Sequence, residues 1–385
     1  MNRNSSVESP FDLVVSRDNT NSTKWDLYKG QDILPFWVAD MDFPIADCIQ
    51  EALAERLRHP LFGYSAAPVG LFDAIQKHLF TEYDWVIERD WVVYLPGVVA
   101  GLSASCRAFA KPGQEIVVNP PIYHHFYDSH ENDHQLTRVP LKIEHGRWTY
   151  DVTAMERCFS ERTRLLMMCT PHNPTGTVFT QKELESVAAL CKKHQVLMIS
   201  DEIHCDLVLD EQARHIPTAK ACPDYADHMV TLMSGSKTWN LAGLNCSFAI
   251  IQNPELRAQF QTALQSTVPN VPPLANTATE SAYRDGQAWR QELLHYLRGN
   301  LELIKQEIAQ IPGMRLEPLQ ATYLAWIDCA GLELEHAQSY FEQHGVGFSS
   351  GEQFGQPHYV RMNFACPRQI LQEGLKRVRA AVAAL

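Results

Sequence analysis

Short runs of Val, Ile, Leu and Met recur through the middle of the chain, with longer amphipathic stretches between them. The runs are "DWVVYLPG" (90–97), "EIVVNPP" (115–121), "RLLMMCTP" (164–171), "VLMISDE" (196–202), "HMVTLMS" (228–234) and "CSFAIIQ" (246–252). Each is apolar on both faces, which predicts strands of a buried sheet. "VVAGLSASCRAFA" follows the first run and "TQKELESVAALCKKH" follows the third, both with helical spacing. Strands alternating with helices predict an α/β layer with a mainly parallel central sheet.

Near residue 280 the pattern changes. Residues 282–311 form a long amphipathic helical pattern. Beyond it come "TYLAWIDC", the helical "ELEHAQSYFEQH", "HYVRMNFACP" and a last helix, "QILQEGLKRVRAAVAAL". These read as a smaller α+β unit. The expected division is an N-terminal arm over 1–45 that joins the small domain, a large domain over 46–285 and a C-terminal small domain over 286–385. Through "ILPFWVADMDFP" (33–44) the arm shows no clear regular element, and it is expected to pack across a site or a partner subunit.

Composition narrows the classes. The 385 residues carry a net charge of −12, which disfavours nucleic acid or an anionic membrane surface as partner. No stretch approaches the roughly 20 apolar residues of a membrane span. The ten cysteines include no C-x-x-C pair and several sit inside apolar runs, as expected of reduced thiols in a cytoplasmic protein. The opening residues lack the long apolar core of a secretory signal. His124, His125 and the acids of "ADMDF" match no standard metal-ligand spacing, so no metal is expected.

The chemistry gathers at predicted strand ends, where open α/β sheets bind ligands. Lys237 lies just past the apolar run "HMVTLM", among Ser234 and Ser236, in a place where most lysines would be solvated. Asp201 ends another run, Asn173 lies in "HNPTG", and Val98 and Val99 open a helix. A lysine forms an imine with an aldehyde. A carboxylate at a strand end pairs with a protonated ring nitrogen. The two serines and the helix N-terminus suit a phosphate. Asn173 suits a phenolate oxygen, and Tyr123 an aromatic ring to stack on. One molecule presents all these features, pyridoxal 5′-phosphate.

The motifs "HNPTG", "SDEIH", "SGSKTWNLAGL" and "YVRMNFACP", in this order and spacing, resemble the fold-type-I aminotransferase superfamily over nearly the whole chain. "PFWVADMDF", "FGYS", "PGVV", "PPIY" and "DEIHCDLV" resemble its cystathionine β-lyase and C–S lyase group, the MalY/PatB branch. The resemblance implies a pyridoxal-phosphate transferase fold of type I, acting as a homodimer. It implies that Lys237 bonds the cofactor and serves as the base, with Asp201 on the pyridinium and Asn173 on the 3′-oxygen. It assigns Arg361 to the substrate α-carboxylate, Trp37 and Val38 to the substrate border, and Tyr64 to a phosphate across the dimer interface. Typical relatives carry Tyr where this chain has His204, which implies different tuning near the cofactor. The activity implied is β-elimination from a cysteine S-conjugate. An aminotransferase, or a regulatory binding protein on the same scaffold, are the alternatives.

Overall fold

The computed structural model describes residues 9–128, 134–265 and 267–385. The first eight residues of the expected arm lie outside them. All six apolar runs form strands of one seven-stranded sheet. In chain order these are β1 (Val92–Leu95), β2 (Glu115–Val118), β3 (Gln135–Arg138), β4 (Thr163–Cys169), β5 (Leu197–Asp201), β6 (Met229–Met233) and β7 (Ser247–Ile250). The spatial order is β1-β7-β6-β5-β4-β2-β3, all parallel except β7, which runs antiparallel to both its neighbours.

Both faces of the sheet are covered, as its sequence requires. In β4, Leu166 and Met168 join a core with Leu71, Ile75 and Phe248, while Leu165, Met167 and Cys169 join another with Leu102, Ile199 and Phe260. Each large side chain buried this way contributes roughly 1.5–3 kcal/mol. The exception is β3. "QLTR" is polar and incompletely buried, because it forms the sheet edge, so no apolar run announced it.

Local signals fix the helices. α1 (Val98–Phe109) follows Gly97, whose φ of 122° only glycine adopts without strain. α2 (Gln181–His194) starts in a reciprocal cap between Thr180 and Glu183 and ends in Lys192, Lys193 and His194 at the negative end of its dipole. The long pattern past 280 divides at Gly286 into α3 (Pro273–Asp285) and α4 (Gln287–Ile308).

Beyond α4 a four-stranded sheet carries β8 (Leu324–Asp328) and β9 (Tyr359–Asn363), and the chain closes with α5 (Arg368–Val382). Their core includes Leu297, Leu324, Phe341 and Leu375, together with Phe11, Phe36 and Phe43 from the start of the chain. The arm is not wholly irregular: Leu34 and Pro35 pair in parallel with Val346 and Gly347.

Residues 37–43 then cross between the two cores without regular structure, and side chains satisfy their carbonyls. Asn363, fully buried, donates to Val38 O and Asp40 O at 2.6 Å each. Asn240 donates to Met41 O and Phe43 O, at 3.0 Å each. Buried Lys24 donates to Asp40 O at 3.4 Å and pairs with Asp42 at 2.8 Å. An Asn363→Ala variant removes one donor from each of two arm carbonyls, leaving Val38 O with the Asp40 N–H and Asp40 O with the longer bond from Lys24, and is expected to lose about 1–2 kcal/mol of stability. The measurement is the shift of the urea midpoint, and a loss well under that figure means that water reaches these carbonyls.

Candidate active site

β4, β5 and β6 end level with one another, with Cys169 beside Asp201 and Asp201 beside Leu232. Their following turns bring Asn173, Asp201, His204 and Lys237 to one cavity of about 890 Å3. The head of α1 closes one side, Arg361 of β9 another, and arm residues Trp37, Val38 and Ala39 a third.

The Lys237 amine donates to Ala39 O at 2.7 Å. Burial disfavours its charged form and lowers its pKa to about 8. Asp40 opposes the shift, and Arg361 adds to it. Asp201 moves the other way. Burial pushes its carboxyl up to about 7, Glu202 adds to the rise, and the Ile203 N–H that it accepts at 3.0 Å restrains it. Lys237 is the weakest of these influences, so Asp201 is a buried carboxylate with little cationic support from the chain.

Arg361 is a buried cation held entirely by neutral groups. It donates to Asn173 Oδ1 at 2.9 Å, Trp37 O at 3.0 Å and Ser349 Oγ at 3.3 Å, and lies over the Phe354 ring. Its Nε has no hydrogen-bond partner among the described residues, and burial lowers its pKa to about 10. A guanidinium in this state suits an incoming carboxylate. The bond from Arg361 fixes the Asn173 amide with its oxygen turned to the arginine, which leaves the NH2 as a donor.

His204 is buried and neutral, its pKa lowered to about 3 by burial and then by Lys237 and Arg361. Its Nδ1 has no partner among the described residues. The turn carrying it is anchored through Asp206, which accepts from Tyr83 at 2.5 Å and pairs with His78 at 2.8 Å. Against the cost of burial, His78 and Arg290 hold the Asp206 carboxyl well below the usual range.

α1 has no side-chain cap, so its first N–H groups, at Val98 and Val99, are open to an anion in the cavity. Ser236 also lines the cavity. Ser234 does not. Its hydroxyl donates to Cys246 O at 2.7 Å and accepts from Ser236 N–H at 3.1 Å, which braces the turn. Tyr123 lines the cavity, with its ring 4.5 Å from His124 and 5.0 Å from His125. Tyr64 lies outside it, fully exposed, in a stretch with exposed Leu61 and Phe62.

Several functional groups escaped the sequence reading. Ala39 acts through its backbone carbonyl, which also accepts from Tyr323 at 3.1 Å. Asn240 fixes the arm, bonding Met41 N–H as well as the two carbonyls. Its signal was a turn-forming Asn three residues beyond Lys237. Ser349 and Tyr323 carried no local signal.

A mainly parallel α/β sheet with a buried lysine, a carboxylate and an anion-binding helix end at its strand ends defines one class of protein. The chain belongs to the Aminotransferase class I and II family, which matches residues 32–378. It is 35% identical to cystathionine beta-lyase PatB of Bacillus subtilis strain 168, covering 97% of this chain and 99% of that one. The crystal structure of OvoB superposes with a TM-score of 0.95 at 41% identity, over 97% of this chain and 99% of that one. The PLP-bound C–S lyase from Staphylococcus hominis superposes with a TM-score of 0.91 at 31% identity, over 98% and 99%.

The lowered pKa of Lys237 has a measurable consequence in the protein stripped of small molecules. Only the neutral amine attacks a carbonyl, so reductive methylation at this position is expected to rise with pH through about 8 and level off above it. An ordinary lysine would still be rising near pH 10. Peptide mass spectrometry across a pH series reads the profile, and a midpoint near 10 would remove burial as the cause.

Proposed function

We propose that this chain is a pyridoxal 5′-phosphate-dependent carbon–sulfur β-lyase. It splits S-substituted cysteines, with water, into a thiol, pyruvate and ammonia. The observation that carries this reading is the shared cavity of Lys237, Asp201 and Arg361: a near-neutral buried amine, a buried carboxylate with weak cationic support and a buried guanidinium with no carboxylate.

The residues fit the cofactor. Asp201 lacks a strong cation partner, and a pyridinium N–H supplies one. The uncapped head of α1, with Val98, Val99 and Ser236, suits a phosphate dianion. Asn173 keeps its NH2 for a phenolate oxygen, and Tyr123 offers a ring face. His204 stays neutral beside them, so it adds no charge to the site. When bound, pyridoxal phosphate supplies an electron sink for the charge left on an amino acid's α-carbon.

Lys237 has two tasks, bonding the aldehyde and, as the free amine, taking the α-proton. A pKa near 8 suits the second, because about a tenth of the amine is unprotonated at pH 7, against well under a thousandth for an ordinary lysine. Asp201 keeps its partner's ring protonated. Arg361 holds the substrate carboxylate, and the arm at Trp37 and Val38 excludes water from the same space. The names of PatB and the Staphylococcus enzyme support expulsion of a β-sulfur group as the outcome.

The assembly in this reading is a homodimer. Leu61, Phe62, Tyr64 and Val69 stand exposed on the single chain, and a second copy would cover them and bring Tyr64 toward its neighbour's phosphate site. Ten cysteines, most of them buried in the core, suit the cytoplasm.

Incubation with cystathionine tests the activity, with pyruvate expected. If the only keto acid formed retains the sulfur, the enzyme is a transaminase and this reading fails. Lys237→Ala is expected to abolish turnover. Arg361→Ala is expected to raise KM roughly 10–100-fold with a smaller change in kcat, from loss of a charge-assisted pair; an unchanged KM removes its carboxylate role.

A further inference from the structure

The cavity is lined by more than the groups that would hold an amino-acid head. Thr23, Leu27 and Tyr28 of the arm and Gln338 and Glu342 of the short helix Ala337–Gln343 also wall it. Four side chains that carry charge at neutral pH, histidines aside, line the whole space: Lys237, Arg361, Asp201 and Glu342. The first three gather around the strand ends. Glu342 stands apart, since it is not among the groups that shift Lys237, Arg361 or Asp201.

Glu342 is held in a set orientation. Tyr28 donates its hydroxyl to Oε2 at 2.9 Å, and Gln338 donates its amide to the same oxygen at 2.6 Å. Both supports are neutral, and both fall on one oxygen, which leaves Oε1 for a ligand. Tyr28 is itself buried. Its place depends on Gly347, where any Cβ would come within 2.5 Å of the Tyr28 ring. Burial, with Glu342 beside it, raises the Tyr28 pKa far above the ordinary value, so the hydroxyl remains a donor throughout the working range. A carboxylate oriented in this way at the wall of a cavity is a receptor for a cation.

We propose that Glu342 selects substrates whose leaving thiol carries a basic nitrogen, binding that group at the cavity wall formed by the arm and the short helix. The substrate class is therefore an S-substituted cysteine with an extended, positively charged sulfur substituent. This inference rests on the lyase reading above and adds the residue that reads the departing half. An alkyl thiol leaves Glu342 facing an apolar chain, with its open oxygen unmatched. An ammonium-bearing thiol pairs with it.

The test compares S-(ω-aminoalkyl)-L-cysteines of two to five methylenes with S-alkyl-L-cysteines of matched length, by pyruvate release. At the length that reaches Glu342, the wild-type protein is expected to favour the amino compound about five- to tenfold in kcat/KM, the scale of a partly exposed charge-assisted bond. E342Q keeps the shape and removes the charge, and is expected to bring that ratio near one. Tyr28→Phe keeps the charge but loses the orientation, and is expected to give an intermediate ratio. Pyruvate from neither series overturns the lyase reading itself. Equal cleavage of both series by the wild type leaves the lyase standing and overturns this inference. A preference that survives in E342Q overturns the assignment to Glu342.

Discussion

A lysine in water keeps its proton to about pH 10.4, and an aspartate loses its own near pH 3.9. In this protein the removal of water draws the two toward each other, to about 8 at Lys237 and about 7 at Asp201. The chemistry of the site depends on that dryness. It brings a lysine near to neutrality and leaves a carboxylate with little cationic support from the chain. Arg361 shows the same pressure, surrounded by neutral acceptors and moved down to about 10. A small number of charges far from water have a large effect because each lacks the partner that would quiet it.

Keeping those groups dry needs walls, and the fold provides them from distant parts of the sequence. The sheet is covered on both faces, so its strand ends present a rigid floor. The lid is a stretch of irregular backbone, and irregular backbone is costly to bury unless every carbonyl finds a donor. Arg361, Ser349, Asn363, Lys24, Tyr323, Asn240 and Lys237 are among those donors. Arg361, Ser349 and Lys237 also line the cavity and the other four support the segment from outside it, yet all act on one seven-residue stretch. Site and lid therefore cannot be separated in this structure.

Much of this was legible in the sequence, and the physics explains what was not. Strands buried on both faces announce themselves as apolar runs, so six of the seven were visible, while the polar edge strand Gln135–Arg138 had no reason to look like one. The reversed direction of Ser247–Ile250 is a matter of pairing, which an apolar run does not encode. Asn173, Asp201 and Lys237 could be read because strand ends are where polar residues next to apolar runs stand out. Ser234 shared that position, but its hydroxyl is bonded to Cys246 O, a partner 12 residues away that no local pattern announces. Ala39 works through a carbonyl that every residue possesses, and Glu342 through a contact with Tyr28 that spans 314 positions, so neither leaves a local trace.

The arm also orders events during synthesis. Its partners lie far downstream: Tyr323 is 284 residues beyond Ala39, and Asn363 is 325 beyond Val38. The ribosome releases this segment long before those partners, yet it reaches its seat only after they have emerged. Until then Phe36 and Phe43 have no core to enter, and the strand ends of an otherwise finished large sheet stay open to solvent. A segment made early is thus among the last to find its place, and a nascent chain stalled short of residue 363 carries its future lid loose and oily.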